Sequence, residues 1–241
     1  MSPNTRLERL RIVLVGTRNP LNIGAAARAM SNFGVSSLRL VNPYDPSFRE
    51  ARSAVGAAQL LQRAERFSNV SDAVSDCSLV VGTTAASNRE LQQPLKTLEH
   101  GAKLIRRHLS SANTAVLFGS EKRGLSNDDL SHCHWLMRIP TRTTHASMNL
   151  GQAVAICVYE LAKGARAKPE KLRAPNASAG MEERLKQSLS ACLKHSGYTK
   201  TGADALNERK LRQMVRRLHI QELDAQTLLG MLRQILWKLE H

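Results

Sequence analysis

Three short segments carry residue types whose spacing suits the binding of an anionic or nucleotide-like ligand. They are residues 22–28 (NIGAAAR), residues 118–126 (FGSEKRGLS) and residues 144–154 (THASMNLGQAV). Backbone N–H groups at a helix N-terminus and glycine-containing turns both bind anions. Taken singly, each segment also fits an ordinary turn or a solvated helix face. The chemistry is therefore predicted from the three segments together.

Each segment follows an apolar run that predicts a buried strand. Such runs lie at residues 11–16, 38–41, 78–83, 114–118 and 135–139, with helical stretches between them. Alternating strands and helices predict an α/β domain with a parallel sheet that is covered on both faces. Because the carboxyl ends of parallel strands share one edge of a sheet, we expect the three segments to meet there.

The first segment predicts a helix that is capped by Asn22 and ended by Gly34. Its apolar residues fall on one side, starting from Ile23. Arg28 lies about 140° around the helix from Ile23, at 100° per residue, and therefore points away from the face that covers the sheet.

A second, smaller unit is predicted after the sheet domain. Residues 164–180 are rich in small and helix-breaking residues, which is typical of a linker. Three amphipathic helical patterns follow and predict a small bundle. The expected organisation is a domain over residues 1–165, a linker over 166–180 and a helical extension over 181–241.

The charge of the chain favours a polyanionic partner. Thirty-five Lys and Arg stand against 20 Asp and Glu, giving a formal net charge of +15, and the pI is about 10.3. Nucleic acid is the commonest partner of such a protein. In the helical extension Arg209, Arg212 and Arg216 are spaced to line one helix face, with Arg217 beside them. We expect these four arginines to contact RNA backbone.

Several other classes of protein are disfavoured. The four cysteines show no paired spacing, which suits reduced, buried thiols. In the run 132–134 (HCH) neighbouring side chains of an extended segment point to opposite faces, so no metal site is expected. There is neither a Walker A loop nor a G-x-G-x-x-G element after the first strand, which argues against a nucleotide-phosphate enzyme. Without a membrane span or a signal-like N-terminus, a cytoplasmic location is expected.

The order of the three segments is similar to the three signature motifs of the SPOUT superfamily of RNA ribose methyltransferases. The motifs read Asn-x5-Arg, then Phe-Gly-x-Glu-x-x-Gly-Leu, then Ser-Met-Asn-Leu-x-x-Ala-Val. Within the superfamily the chain resembles the TrmJ type of tRNA 2′-O-methyltransferase over residues 10–162, and more loosely over the tail. The resemblance implies a parallel sheet with a deep trefoil knot in its C-terminal part, S-adenosylmethionine as cofactor, and a homodimer in which two subunits complete each active site.

The resemblance also assigns roles to particular residues. Arg28 corresponds to the essential arginine of the family, and Asn22, Glu121, Ser147 and Asn149 would orient the ribose and the loops. Because a guanidinium stays protonated in proteins, we expect Arg28 to grip a phosphate and stabilise the developing alkoxide rather than act as a base. No metal is needed. The cofactor pocket would be formed by Thr83, Thr84, Ala85, Gly119, Ile139, Ala146, Ser147 and Met148.

The substrate that the resemblance implies is tRNA, at the ribose of nucleotide 32, the first of the anticodon loop, as cytidine or uridine. The same chemistry on ribosomal RNA or on another tRNA loop remains an alternative, because the motifs bind cofactor and ribose rather than sequence. A non-catalytic RNA-binding protein on the same fold is an alternative of a different class. Intact Arg28, Ser147 and Asn149 argue against it.

Overall fold

One parallel sheet organises the larger part of the molecule. The computed structural model describes residues 6–44, 56–85, 92–142, 146–163, 175–199 and 204–240. Seven parallel strands are found among these residues, in the spatial order β3-β2-β1-β6-β4-β7-β5. Their bounds are β1 Leu10–Val15, β2 Ser37–Val41, β3 Glu65–Phe67, β4 Leu79–Thr83, β5 Leu95–Thr97, β6 Thr114–Phe118 and β7 Trp135–Arg138.

Helices follow most of these strands among the described residues, and three more helices follow the sheet. They are α1 Pro20–Asn32, α2 Ala58–Gln62, α3 Val70–Ala73, α4 Leu98–His108, α5 Asn127–Ser131, α6 Leu150–Lys163, α7 Ala179–His195, α8 Asp204–Leu218 and α9 Glu222–Glu240. The predicted α/β architecture with a parallel sheet is confirmed.

Both faces of the sheet are buried, which explains why its central strands are mostly apolar. In β1, Ile12 and Leu14 join the core that α1, α4 and α6 cover, whereas Val13 and Val15 join the core on the side of α3 and α5. This division follows from the alternation of side chains along a strand. The five strands predicted from apolar runs are present. The two that were missed, β3 and β5, are three residues long, lie at the sheet edges and contain charged residues.

Helix α1 begins earlier than the sequence pattern predicts. Asn19, not Asn22, caps it, and the Asn19 side chain accepts a hydrogen bond from the Leu21 backbone N–H at 2.9 Å. Pro20 occupies the first helical position, where its fixed φ and missing N–H cost nothing. The prediction that Asn22 caps this helix is wrong. Asn22 lies within the first turn of α1, and its side-chain amide makes tertiary contacts instead.

Helices α7, α8 and α9 pack into a bundle that docks against the sheet domain. Leu185, Val215, Ile220 and Ala225 are buried within it. At its start, Ala179 N–H donates to the Cys77 carbonyl at 2.7 Å and Gly180 N–H donates to the Ser75 carbonyl at 2.9 Å. These bonds attach the bundle to the residues that immediately precede β4 in the chain.

The boundary between the two units differs slightly from the predicted one. Residues 164–174, most of the predicted linker, lie outside the described residues. The linker was predicted to reach residue 180, whereas helix α7 begins at Ala179. No helix in the described part of the chain has both the length and the apolar character of a membrane span.

Candidate active site

A cavity of about 490 Å³ opens at the carboxyl edge of β4, β6 and β7. That volume falls within the roughly 300–1,000 Å³ typical of small-molecule sites. The residues after β4, the loop after β6, the segment before α6 and the first turns of α6 form its walls. All eight residues that the resemblance assigns to the cofactor line it, namely Thr83, Thr84, Ala85, Gly119, Ile139, Ala146, Ser147 and Met148.

The cavity also has an apolar side, and neither the sequence patterns nor the resemblance assigned its residues to the cofactor. It is formed by Leu125, Leu130 and Met137 and by one face of α6. On that helix Leu150, Ala153 and Cys157 line the cavity, and their spacing of three and four residues places them on one side. Helical periodicity counted from Leu150 would have found them, because residues three and seven positions later fall on the same face. Apolar walls beside exposed backbone and hydroxyl groups suit a ligand with a flat apolar part and a polar part, such as a nucleoside.

The loop after β6 depends on its two glycines for different reasons. A Cβ added to Gly119 would lie 2.0 Å from the carbonyl carbon of Gly124 and 2.1 Å from the Leu125 nitrogen. Gly124 has a φ of +66° and open space around it, and its N–H donates to the Ser120 carbonyl at 2.8 Å. Gly119 therefore allows the loop to close on itself, and Gly124 allows the turn.

A chain of hydrogen bonds joins all three signature segments beside the cavity. Asn22 Nδ2 donates to Glu121 Oε1 at 2.9 Å, and Asn149 Nδ2 donates to Asn22 Oδ1 at 2.8 Å. Asn149 Oδ1 in turn accepts from the Gln152 backbone N–H at 3.3 Å in the first turn of α6. Helices α1 and α6 meet here, since a Cβ on Gly151 would lie 2.6 Å from the Ala25 Cβ. The predicted gathering of the three segments is thus what the structure shows.

Glu121 is the charged member of this hydrogen-bond chain. Burial by itself raises the pKa of Glu121, but hydrogen bonds from Asn22 and from backbone N–H groups, including that of Asn19, outweigh it and lower the pKa below its ordinary value. A carboxylate that stays ionised accepts hydrogen bonds and does not donate a proton. Glu121 can therefore fix the orientation of the Asn22 amide.

Arg28 lies apart from these residues. It is exposed on α1, as its angle from Ile23 predicts, and it does not line the cavity. Arg28 lies six positions after Asn22 along the helix, a rise of about 9 Å. Within one chain, the structure does not bring this guanidinium together with the predicted cofactor residues.

The predicted RNA-binding arginines of α8 divide into two groups. Arg217 is exposed and Arg209 is half-buried, so both remain candidates. Arg216 is buried, donating to Glu182 through Nη1 and to the Ala179 carbonyl at 3.4 Å through Nη2. The prediction that Arg216 contacts RNA is therefore wrong, because its charge is paired inside the protein. Arg212 is also turned inward.

The run 132–134 is buried and serves the structure of the protein. His134 accepts from the Val80 backbone N–H at 3.0 Å through Nδ1, and its Nε2 lies 3.4 Å from Glu182 Oε2. Burial lowers the pKa of His132 to about 3. In the part of the chain that the structure describes, no cluster of three His, Cys, Asp or Glu side chains is arranged to hold a metal ion.

The model of the SpoU rRNA Methylase family matches residues 9–159. The chain belongs to the SpoU methylase family. That match includes the three signature segments and every strand of the sheet. Methyl transfer is therefore the class of reaction, and the predicted enzyme activity is confirmed at this level.

Relatives resemble the chain over almost its whole length. It is 36% identical to tRNA (cytidine/uridine-2′-O-)-methyltransferase TrmJ from Sodalis glossinidius over 95% of this chain and 92% of that protein, and 34% identical to TrmJ from Pectobacterium atrosepticum over 95% and 97%. The crystal structure of TrmJ from Z. mobilis ZM4 has a TM-score of 0.82 and 33% identity, covering 93% of this chain and 98% of that one. The predicted SPOUT α/β knot fold with C-terminal helices is confirmed.

Proposed function

We propose that the protein transfers a methyl group from S-adenosylmethionine to a ribose 2′-hydroxyl of tRNA, at cytidine or uridine in position 32. One observation carries the proposal. Eight residues from separate segments line one cavity, directly beside the chain of hydrogen bonds between Asn22, Glu121 and Asn149. The TrmJ relatives, named as tRNA cytidine/uridine 2′-O-methyltransferases, support the substrate. We also place the reaction in the cytoplasm.

The lining of the cavity fits S-adenosylmethionine. Apolar walls from Leu125, Leu130 and Leu150 suit the adenine ring, and the backbone and hydroxyl groups of residues 83–85 and 146–148 suit the polar parts. The Thr83 hydroxyl donates to the Leu117 carbonyl at 2.8 Å, so toward a ligand it acts as an acceptor. When bound, the cofactor supplies a methyl group on a positively charged sulfur.

The residues of the chain contribute mainly position and electrostatics. Asn22 and Asn149 hold the ends of α1 and α6 in register, and Glu121 fixes the Asn22 amide. Alignment of this kind supplies several kcal/mol toward a reaction between two bound groups. A guanidinium such as that of Arg28 donates hydrogen bonds to a phosphate or to a developing alkoxide, and it does not accept the proton of the 2′-hydroxyl.

We propose further that the enzyme is a homodimer in which Arg28 acts on the cavity of the partner subunit. The position of Arg28 supports this arrangement, since it is exposed and absent from the cavity of its own chain. Nearby apolar side chains are also exposed, with Leu21 at 79% and Tyr159 at 50%. A second copy that covers α1 and α6 would bury them.

Subunit mixing tests the dimer and the role of Arg28 together. Arg28→Ala destroys the arginine, and Gly119→Val destroys the cavity. Each variant alone should be inactive. After subunit exchange, half of the dimers are mixed and each has one intact site, so about a quarter of the wild-type activity should return. No recovery despite exchange would show that Arg28 acts within its own chain.

The substrate is tested by methyl transfer from labelled S-adenosylmethionine to unmodified tRNA, followed by mapping of the modified nucleotide. A 2′-O-methyl group at position 32 is the expected product. The family description names ribosomal RNA, so ribosomal RNA is the matched comparison substrate. Methylation of ribosomal RNA without methylation of tRNA would refute the substrate and leave the reaction standing. If Arg28→Ala still binds RNA but no longer transfers methyl groups, the protein is an enzyme and the alternative of a non-catalytic RNA-binding protein is excluded.

A further inference from the structure

Arg212 of α8 crosses from the helical bundle to the sheet domain. Its Nη1 donates to Ser131 Oγ at 2.8 Å and lies 3.3 Å from Asp128 Oδ1. Its Nε donates to Glu183 Oε2 of α7 at 3.2 Å. The side chain is 14% exposed. One guanidinium therefore joins α7 and α8 to the short helix α5.

Helix α5 is also part of the cavity wall. Its cap, Ser126, directly follows the loop after β6, and Leu130 lines the cavity. The Leu130 carbonyl accepts from Gln93 Nε2 at 2.8 Å, so the helix is held from that side as well. A helix of five residues has little stability of its own and keeps its place through such contacts.

We propose that Arg212 is a positioning residue for the cofactor cavity. It holds Ser131 and Asp128 from outside, and through them it sets the position of Leu130 and of the loop that begins at Gly119. The helical bundle then does more than extend the RNA surface, because it completes the support of the cavity. This inference rests on the proposed function, since the cavity is taken to bind S-adenosylmethionine.

Removal of Arg212 should act locally and leave the bundle docked. The backbone bonds from Ala179 and Gly180 to the sheet domain do not involve it. Within the bundle, Lys186 Nζ donates to Glu208 Oε2 at 2.5 Å and lies 3.0 Å from Glu183 Oε1. Glu183 therefore keeps a cationic partner when Arg212 is absent.

The test compares Arg212→Met with Arg209→Met, using the full chain. Arg209 lies one turn earlier on α8 and is half-buried. In calorimetric titration, Arg212→Met should bind S-adenosylmethionine about three- to tenfold more weakly than the wild type. The KM for the cofactor should rise by the same factor, with kcat at saturating cofactor near the wild-type value. Arg209→Met should bind the cofactor as the wild type does, and Arg212→Lys should fall between.

Ser131→Ala provides a second reading if Arg212→Met fails to fold. It removes the hydroxyl that accepts from Arg212 and should weaken cofactor binding at least about twofold. If Arg212→Met folds and binds S-adenosylmethionine as tightly as the wild type, this inference is wrong and the proposed function stands. The same holds if Arg212→Met does not fold and Ser131→Ala binds the cofactor with wild-type affinity. An equal loss in Arg209→Met overturns this inference too. Failure of the wild-type chain to bind S-adenosylmethionine overturns the proposed function and this inference with it.

Discussion

Replacement of Gly119 by alanine should disable the cofactor cavity through a clash with backbone atoms. The new Cβ would lie 2.0 Å from the Gly124 carbonyl carbon, whereas two carbon atoms pack at about 3.5 Å. The shortfall is about 1.5 Å. No rotamer relieves it, because both atoms are fixed to the backbone, so the loop must move. Displacements near 1 Å in a site can cost about 100-fold in rate.

The assay is methyl transfer to tRNA together with calorimetric titration of S-adenosylmethionine. We expect kcat/KM for the cofactor to fall about 100-fold in Gly119→Ala. Gly124→Ala is the matched control in the same loop. It has nothing within 4 Å of its Cβ, and only its φ of +66° is strained. That strain costs about 1–2 kcal/mol, so its activity should fall much less.

Two outcomes would refute this reasoning. Activity of Gly119→Ala within threefold of the wild type would mean that the loop relaxes freely and is not held against the cavity. A loss in Gly124→Ala as large as that in Gly119→Ala would mean that loop strain, rather than the close backbone approach, decides activity. Thermal melts of both variants would separate either effect from unfolding.

Three further predictions concern charge and burial. The pKa of Glu121 is lowered from 4.5 in the folded protein, so the ionised carboxylate stabilises the fold fully above pH 4.5. This stabilisation is lost as the pH falls through the lowered pKa. In thermal melts at decreasing pH, the melting temperatures of the wild type and Glu121→Gln should therefore converge. Burial raises the pKa of Cys157 to about 12, so this thiol should react with a disulfide reagent at pH 8 only after denaturation; rapid native labelling would contradict its burial. Arg216→Ala leaves Glu182 buried beside His134 without its arginine and should cost about 3–5 kcal/mol in urea unfolding, against about 0.5 kcal/mol or less for Arg217→Ala. Equal losses would contradict the buried pair.

The central strands were predictable because burial on both faces leaves a nearly continuous apolar run in the sequence. Residues 114–118 are all buried, and this run shows as a strand in the sequence. The two edge strands lack such a run. Residues 65–67 contain two exposed charged side chains, and residues 95–97 contain a lysine. Their pairing depends on the strand beside them and leaves no local pattern.

Convergence of the site was predictable, but the partners within it were not. Parallel strands place their carboxyl ends at one edge, and this alone predicts that residues 22, 121 and 149 approach each other. The bonding order, from Asn149 to Asn22 to Glu121, spans 127 and 99 positions in the chain. Asn22 was predicted as a cap because Asn is a common cap. The nearby Asn19-Pro20 pair is the better start signal, because Pro is favoured at the first helical position.

The arginines of α8 show why charge spacing cannot by itself identify an RNA surface. Residues 209, 212 and 216 recur at helical spacing whether they face solvent or a row of carboxylates. The residues that decide between the two are Glu182, Glu183 and Asp128, which lie 34, 29 and 84 positions away from their arginines. A basic helix that packs between acidic neighbours neutralises its inner charges and keeps only its outer ones for a polyanion. The net charge of +15 therefore overstates the number of cations that α8 can offer to RNA. Charge reversal at the exposed Arg217 should reduce the affinity for tRNA and the salt dependence of binding. Charge reversal at the buried Arg216 should instead impair folding.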